Sequence, residues 1–224
     1  ILNLSNQKTF NITIFHIRMN RRIRVLLYGS NLWALGAGML GPLFAIFAER
    51  IGGNLLEISW AWATYLIISG IFVIIVGKLT EKKYSKSKVM IWGYALNALF
   101  TFGYLLVSEP WHLFVVQSGL GISLALATPT WESLYAKYED KKHDTFEWGL
   151  AIGEARMITG FAMIIGGLIV NYISFTALFI AMGLVQVIAT IYQSKILIKR
   201  LRKYSVTKFQ ELQRTEKSSR KPSA

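Results

Sequence analysis

The sequence separates its charged residues from its apolar ones almost completely. Hydrophobic residues make up 53% of the 224 positions and charged residues only 17%, whereas soluble domains carry about a quarter charged residues. Five long runs contain no Asp, Glu, Lys or Arg: residues 25–48, 58–76, 89–108, 111–131 and 157–194. A helix needs ~20 apolar residues to cross a ~30 Å hydrocarbon core. The runs therefore predict membrane spans, because the helices of a soluble protein would carry charges along one face.

The last uncharged run is too long for one crossing, and residues 171–174, Asn-Tyr-Ile-Ser, mark a turn within it. We predict an all-α, polytopic membrane protein with six transmembrane helices. The predicted spans are residues 24–48, 57–77, 88–107, 111–135, 147–170 and 173–195. The spans form a transmembrane domain at 24–195, preceded by a cytoplasmic extension at 1–23. A basic cytoplasmic tail at 196–224 follows, which we expect to be disordered.

Basic residues in short loops predict which side of the membrane each loop occupies, because such loops stay in the cytoplasm. One set of loops carries almost all of them: Arg21, Arg22, Arg24, Lys78, Lys82, Lys83, Lys86, Lys88, Lys137, Lys141 and Lys142. The other side offers only Arg50. We therefore expect an integral protein of the plasma (cytoplasmic) membrane with both termini in the cytoplasm.

The two ends of the chain differ in composition from the spans. Residues 1–18 lack the pattern of a signal peptide, and Met19 heads a stretch, MNRRIRVLL, that is typical of a natural start. Residues 195–224 carry ten basic residues and two acidic ones. Because this tail directly follows a span and lacks stacking aromatics, the sequence favours anionic lipid headgroups over nucleic acid as its partner.

The sequence offers no pattern for an enzyme or a metal site. It contains no cysteine, and its three histidines fall in different segments without the spacing of a metal-binding helix. No HExxH, GxSG or pair of intramembrane aspartates supplies a nucleophile or general base. We predict no enzymatic activity, no metal and no cofactor.

Spans one and four share an arrangement of polar and proline residues although they run in opposite directions. Span one contains Ser30 followed by Pro42, and span four contains Ser118 followed by Pro129. Such an echo is typical of an inverted repeat of three plus three helices. Pro42 cannot donate to the carbonyl of Gly38, so we expect a kink in span one.

Span five carries a stripe of small residues at alternating steps of four and three. The stripe consists of Gly149, Gly153, Arg156, Gly160, Met163 and Gly167, and a glycine pair, Gly166 and Gly167, ends the span. Small residues allow close helix approach in lipid. We interpret the stripe as a surface for helix packing, with Arg156 as the exception.

Charges inside span five require partners elsewhere. Glu154 and Arg156 lie about 200° apart around the helix, and a charge at mid-span costs ~2.5–3.5 kcal/mol. Glu132, near the end of span four, is the predicted partner of Arg156. The charges are interpreted as structural pairs or, alternatively, as a proton relay.

Polar side chains within the uncharged spans are candidates for contact with a small-molecule substrate, or alternatively for hydrogen bonds between helices worth ~0.6 kcal/mol. They are Asn31, Tyr65, Asn97, Gln117 and Gln186. Trp33 lies within a turn or two of one of them. Five further tryptophans fall near span ends, where aromatic belts form: Trp60, Trp62, Trp111, Trp131 and Trp148.

The charged loop between spans two and three, GKLTEKKYSKSKV, has an ordered pattern. It resembles the loop between helices two and three of the major facilitator superfamily in the residues Gly77, Leu79, Glu81, Lys82 and Lys86. Tyr84 and Ser85 depart from that pattern. The resemblance implies that the loop acid and its basic neighbours hold one conformational state and release another, with Glu81 facing a helix N-terminus or Arg156.

The resemblance extends over about residues 20–200 and corresponds to the six-helix N-terminal half of a twelve-helix protein. Pro129 and the pair Gly166 and Gly167 match family positions, while Gln117 stands where many members have arginine. The family implies alternating access around a central substrate site, which its first and fourth helices line, so Asn31 and Gln117 rank highest. It also implies a homodimer or a second six-helix half. The alternatives are a non-transporting membrane scaffold or assembly protein, or a fragment of a twelve-helix transporter.

Overall fold

The described part of the chain, residues 19–82 and 84–219 of a computed structural model, is a bundle of helices. The helices are α1 (Arg21–Gly38), α2 (Leu43–Arg50), α3 (Leu55–Lys82), α4 (Lys86–Gly103), α5 (Pro110–Tyr138), α6 (Asp144–Tyr172) and α7 (Phe175–Ser219), with a 3-10 turn at Tyr104–Leu106. Among these residues, five helices are long and apolar enough to cross a membrane, and α1 with α2 forms a sixth, bent span. The predicted all-α membrane class is confirmed. Residues 1–18 of the predicted extension lie outside the described residues.

The first span is broken between α1 and α2, whose axes differ by 43°. Pro42 has no N–H group, so it cannot continue the hydrogen bonding of α1 to the carbonyl of Gly38. The backbone turns instead through Gly41, whose φ of 29° is tolerated best by glycine. Leu43 restarts the helix with a bond of 2.7 Å from its N–H to the carbonyl of Leu40.

The helices neighbour each other in a pattern that repeats after three spans. Helix α5 packs on α3 and α4, α1 packs on α6 and α7, and α4 packs on α7. Exchanging α1 with α5, α3 with α6 and α4 with α7 converts each of these contacts into another contact in the same set. This is the neighbour relation that an inverted three-plus-three repeat produces, and it pairs the proline-containing spans α1–α2 and α5.

Helices α3 and α6 lie at the outside of the bundle. Only 17% of the apolar stretch of α3 and 11% of that of α6 is buried, against 50% for α5. Their exposed side chains are mainly large and apolar, as in Ile74 and Phe161, which are 76% and 63% exposed. In water such faces would be unfavourable, so lipid or another helix bundle must cover them.

The glycine stripe of α6 does not pack against another helix among the described residues. A Cβ atom added to Gly149, Gly153, Gly160 or Gly167 would meet nothing within 4 Å. The close contact is made by Gly166, where an added Cβ would lie 2.0 Å from the carbonyl oxygen of Met39. The stripe therefore faces outward, and the neighbouring face of α6 carries the packing against α1.

Helix α7 continues beyond the predicted end of span six and reaches Ser219. We expected disorder from residue 196 onward, and residues 196–219 are helical instead. The sequence contains no glycine or proline between Gly183 and Pro222, so nothing along this stretch interrupts the backbone hydrogen bonds of the helix. Residues 220–224 of the predicted tail lie outside the described residues.

Candidate functional site

A first cavity, which we call cavity A, opens among six of the spans beside the break in span one. Its volume is about 400 Å³, within the range of small-molecule sites. Its lining includes aromatic, amide and thioether side chains: Trp33, Trp62, Tyr65, Asn97, Thr101, Tyr104, Gln117, Met163 and Met182. The cavity thus contains four of the polar or aromatic residues that the sequence singled out, Trp33, Tyr65, Asn97 and Gln117.

Two amide nitrogens in cavity A lack hydrogen-bond partners among the described residues. Asn97 is 5% exposed and Gln117 is 2% exposed, and both line the cavity. Within the described part of the chain, neither the Nδ2 atom of Asn97 nor the Nε2 atom of Gln117 has a hydrogen-bond partner. A buried donor without a partner costs ~1–3 kcal/mol. These donors are therefore available to a molecule that enters the cavity.

A second cavity, cavity B, lies toward the end of the bundle that carries the basic loops. It has a volume of about 440 Å³ and is lined by four aromatic rings, Trp33, Tyr94, Trp131 and Trp148, and by the charged side chains Glu132 and Arg156. Trp33 lines both cavities. Its ring meets that of Tyr94 edge to face, with 4.7 Å between centroids. Trp33 is therefore the lining residue that the two cavities share.

The three predicted charge partners take two different environments. Glu132 and Arg156 line cavity B, but the ion pairs found in the described part of the chain do not include them. Glu154 instead accepts a hydrogen bond of 2.7 Å from Nδ2 of Asn31, which joins α6 to α1. Asn31 therefore binds a neighbouring helix, whereas Glu132 and Arg156 both line cavity B.

The contact between Asn31 and Glu154 yields a first prediction. We expect Asn31→Leu to lower the thermal inactivation midpoint in detergent, because it removes the donor to Glu154 and an unmade buried hydrogen bond costs ~1–3 kcal/mol. The double variant Asn31→Leu with Glu154→Leu should be less destabilised than the sum of the single variants. Additive effects would contradict the contact.

Gln186 lies between helices. Its Nε2 atom donates to the backbone carbonyl of Trp33 at 3.1 Å, and a Cβ atom on Gly36 would lie 2.6 Å from the same nitrogen. It therefore holds α7 against α1 and supports the backbone beneath Trp33, which is the alternative role that the sequence left open for it.

The cavities and the helix arrangement make comparison with known proteins informative. A family model described as the Major Facilitator Superfamily matches residues 26–222. The chain belongs to this superfamily. The match covers all six spans, including the broken first span and both cavities.

Relatives within the superfamily are longer than this chain. An uncharacterized MFS-type transporter of Methanocaldococcus jannaschii is 26% identical over 157 residues, which cover 70% of this chain and 40% of that protein. The in meso crystal structure of the POT family transporter PepTSo has a TM-score of 0.63 and 11% identity, covering 81% of this chain and 38% of that one. The second likeness concerns the fold alone. The chain thus spans less than half the length of either protein.

The α3–α4 loop, which resembles the superfamily pattern, lies at the end of the bundle nearest cavity B. A Cβ atom added to Gly77 would meet no described atom within 4 Å, and the side chain of Leu79 is 45% exposed. Glu81 is also exposed and lies one residue before α3 ends at Lys82. Among the described residues, no hydrogen bond or ion pair joins Glu81 to Arg156. Lys86 donates to the hydroxyl of Ser133 in α5, so the loop is attached to the helix that carries Glu132.

The neighbouring loop between α5 and α6 is also connected to cavity B. Glu139 accepts hydrogen bonds from Lys141 and, at 2.5 Å, from Nε1 of Trp148. The bond from Glu139 raises the pKa of Lys141. The backbone N–H of Lys142 and then the ring of His143 hold the pKa of Asp140 below its usual value. Both shifts favour the charged forms of Asp140 and Lys141, and Glu139 anchors one ring of the cavity, that of Trp148.

Sequence reasoning assigned several cavity residues to other roles or overlooked them. Trp62, Trp131 and Trp148 were expected in aromatic belts, but they line cavities. Tyr94 and Thr101 were not singled out, although each is buried on α4. Their spacing was a usable signal. Tyr94 precedes Asn97 by three residues and Thr101 follows it by four, so all three share one face of α4.

Proposed function

We propose that the chain is a six-helix half of a secondary-active transporter that moves a small solute by alternating access. The observation that carries this proposal is the pair of cavities on either side of Trp33, because a solute can pass between them only when Trp33 moves. Superfamily membership supports it, since such transporters bind substrate near the midplane between repeats. No cofactor is needed for this function.

A second six-helix unit would complete the transporter. The outward glycines on α3 and α6, such as Gly70 and Gly160, leave room for close contact with helices from another bundle. The length of the relatives supports the same arrangement, because this chain spans 40% of one of them. We propose that the second unit is either another copy of this chain or a separate six-helix half.

The orientation follows from the basic loops. With the α3–α4 and α5–α6 loops in the cytoplasm, cavity B faces the cytoplasm and cavity A faces the opposite side. We propose the plasma membrane as the location, with both described ends of the bundle, Arg21 and Ser219, on the cytoplasmic side. Single cysteines introduced into the loops would test this assignment. A thiol reagent that cannot cross the membrane would modify only those on its own side, and the sequence has no other cysteine to react with it.

The transport function predicts a specific effect of the loop acid. Uptake of a panel of radiolabelled solutes is measured in proteoliposomes that contain the full product of the native gene. We expect at least one solute to accumulate. We expect Glu81→Ala to slow that uptake about tenfold, which corresponds to ~1.4 kcal/mol between conformational states, without lowering protein abundance.

The control for this experiment is Glu49→Ala. Glu49 is also an exposed carboxylate, but it lies in α2 at the other end of the bundle, so its removal should leave uptake unchanged. If no solute accumulates and the purified protein remains a single six-helix unit, the protein is not a transporter. That outcome would favour the scaffold or assembly role.

A further inference from the structure

Within the part of the chain that the structure describes, the lining of cavity A contains no charged side chain. Its residues include no Asp, Glu, Lys, Arg or His, whereas cavity B contains both Glu132 and Arg156. An ion that entered cavity A would leave its water shell without meeting an opposite charge, which is strongly unfavourable. The two cavities therefore differ in the charge of the molecules that they can hold.

The unpartnered amide nitrogens further restrict which ligands cavity A can bind. The atoms in cavity A that need partners are N–H groups, on Asn97 and Gln117, and these present the positive ends of their dipoles. They repel a cation and they require an acceptor such as a carbonyl, ether or hydroxyl oxygen. The aromatic rings alone would attract a cation, but the two donors oppose it.

The remaining lining is mainly apolar. Leu40, Phe44, Leu120 and Met182 face the cavity together with the aromatic rings. A strongly hydrated solute with many hydroxyl groups would leave most of them without partners here. The body of the ligand must therefore be apolar, with oxygen atoms placed at the two amides.

From these three features we propose that cavity A binds an uncharged organic molecule with an apolar body and oxygen acceptors that accept hydrogen bonds from Asn97 and Gln117. This inference rests on the proposed transport function only in taking the bound molecule to be the transported solute. The binding itself can be tested without any transport assay.

The test uses a cysteine placed in each cavity of a chain that has none of its own. Met163→Cys reports on cavity A and Ile152→Cys reports on cavity B, and the two residues lie on the same helix with exposures of 41% and 49%. The measured quantity is the rate of modification by a thiol reagent in native membranes. The probes are matched in shape and differ in charge: benzamide, benzoate and benzamidinium, with their naphthalene counterparts.

We expect the neutral amides to slow modification of Met163→Cys and to leave that of Ile152→Cys unchanged. Gln117→Leu should weaken this protection about tenfold, equivalent to ~1.4 kcal/mol. Gln117→Glu keeps the shape of the side chain but replaces its donor with a carboxylate, so it should shift the preference to the benzamidinium series. Modification of Ile152→Cys in the same variants shows whether they fold.

Equal protection by all three charge classes, protection by charged probes alone, or no protection by any probe would overturn the proposal. So would an unchanged preference in Gln117→Glu. Failure of the transport function is distinguishable from these outcomes. Protection by neutral amides with no solute uptake would contradict transport and leave the binding site in place, whereas uptake of ions alone would contradict the neutral ligand and leave transport in place.

Discussion

Gly166→Ala is expected to remove most of the folded protein from the membrane. An added Cβ atom would lie 2.0 Å from the backbone carbonyl oxygen of Met39, which is far inside van der Waals contact. The contacted atom belongs to the backbone, so it cannot move aside as the end of a flexible side chain would. Overpacking of this kind costs ~1–3 kcal/mol or more, and such losses lower abundance several-fold in cells. Abundance is measured by quantitative blotting of isolated membranes.

The matched control is Gly160→Ala on the same helix. No atom lies within 4 Å of a Cβ at Gly160 in the described structure, and alanine favours a helix over glycine by ~1 kcal/mol. Its abundance should equal or exceed that of the native protein, because contact with a second bundle at this face affects the association of two units and not the folding of one. Equal abundance of the two variants would contradict the packing of α6 on α1.

Trp33→Ala is expected to join the two cavities and to abolish accumulation of the solute. Trp33 lines both cavities, and its indole ring lies with its centroid 4.7 Å from that of the Tyr94 ring. Without it, a reagent that enters cavity A should reach Ile152→Cys in cavity B about tenfold faster, equivalent to ~1.4 kcal/mol of barrier. The rate is measured with an impermeant thiol reagent added on the side of cavity A.

Trp62→Ala provides the comparison for this variant. Trp62 lines cavity A but not cavity B and is 48% exposed. Its removal should enlarge cavity A without connecting it to cavity B. If both tryptophan variants accelerated the labelling of Ile152→Cys equally, Trp33 would not be the wall between the cavities.

The spans and the fold class were predictable because the signal is local. A run of uncharged residues identifies a span without knowledge of its neighbours, and Pro42 lies at the break between α1 and α2 because it removes a hydrogen bond within its own helix. The length of α7 was not predicted, since the sixth span was expected to end at residue 195 and the helix reaches Ser219. Basic composition suggested disorder, while the absence of any helix breaker before Pro222 was the more relevant local feature.

The site was predictable only in part because its contacts join distant segments. Polarity within a span identified Gln117 and Asn97, which lie in cavity A, but it also selected Asn31 and Gln186, which bind neighbouring helices. The bond from Asn31 to Glu154 spans 123 positions. Composition and spacing within one helix carry no information on such a contact.

The direction of the glycine stripe illustrates the same limit. Its period within α6 shows that the glycines share one face, but it does not show which way that face points. The structure turns Gly153 and Gly160 outward and Gly166 inward against Met39. Two glycines six positions apart on one helix thus have different roles. Gly160 lies on the face that a second bundle would cover, and Gly166 lies on the face that packs against the first span.

The most direct test of alternating access is the accessibility of Met163→Cys and Ile152→Cys from the two sides of the membrane. The protein is kept in native membranes, and an impermeant thiol reagent is added to one side at a time, with and without the transported solute. The account predicts that Ile152→Cys reacts from the cytoplasmic side and Met163→Cys from the other. It also predicts that, while no ligand occupies either cavity, any condition that increases one rate decreases the other. Reaction of both cysteines from the same side, or rates that rise and fall together, would contradict it.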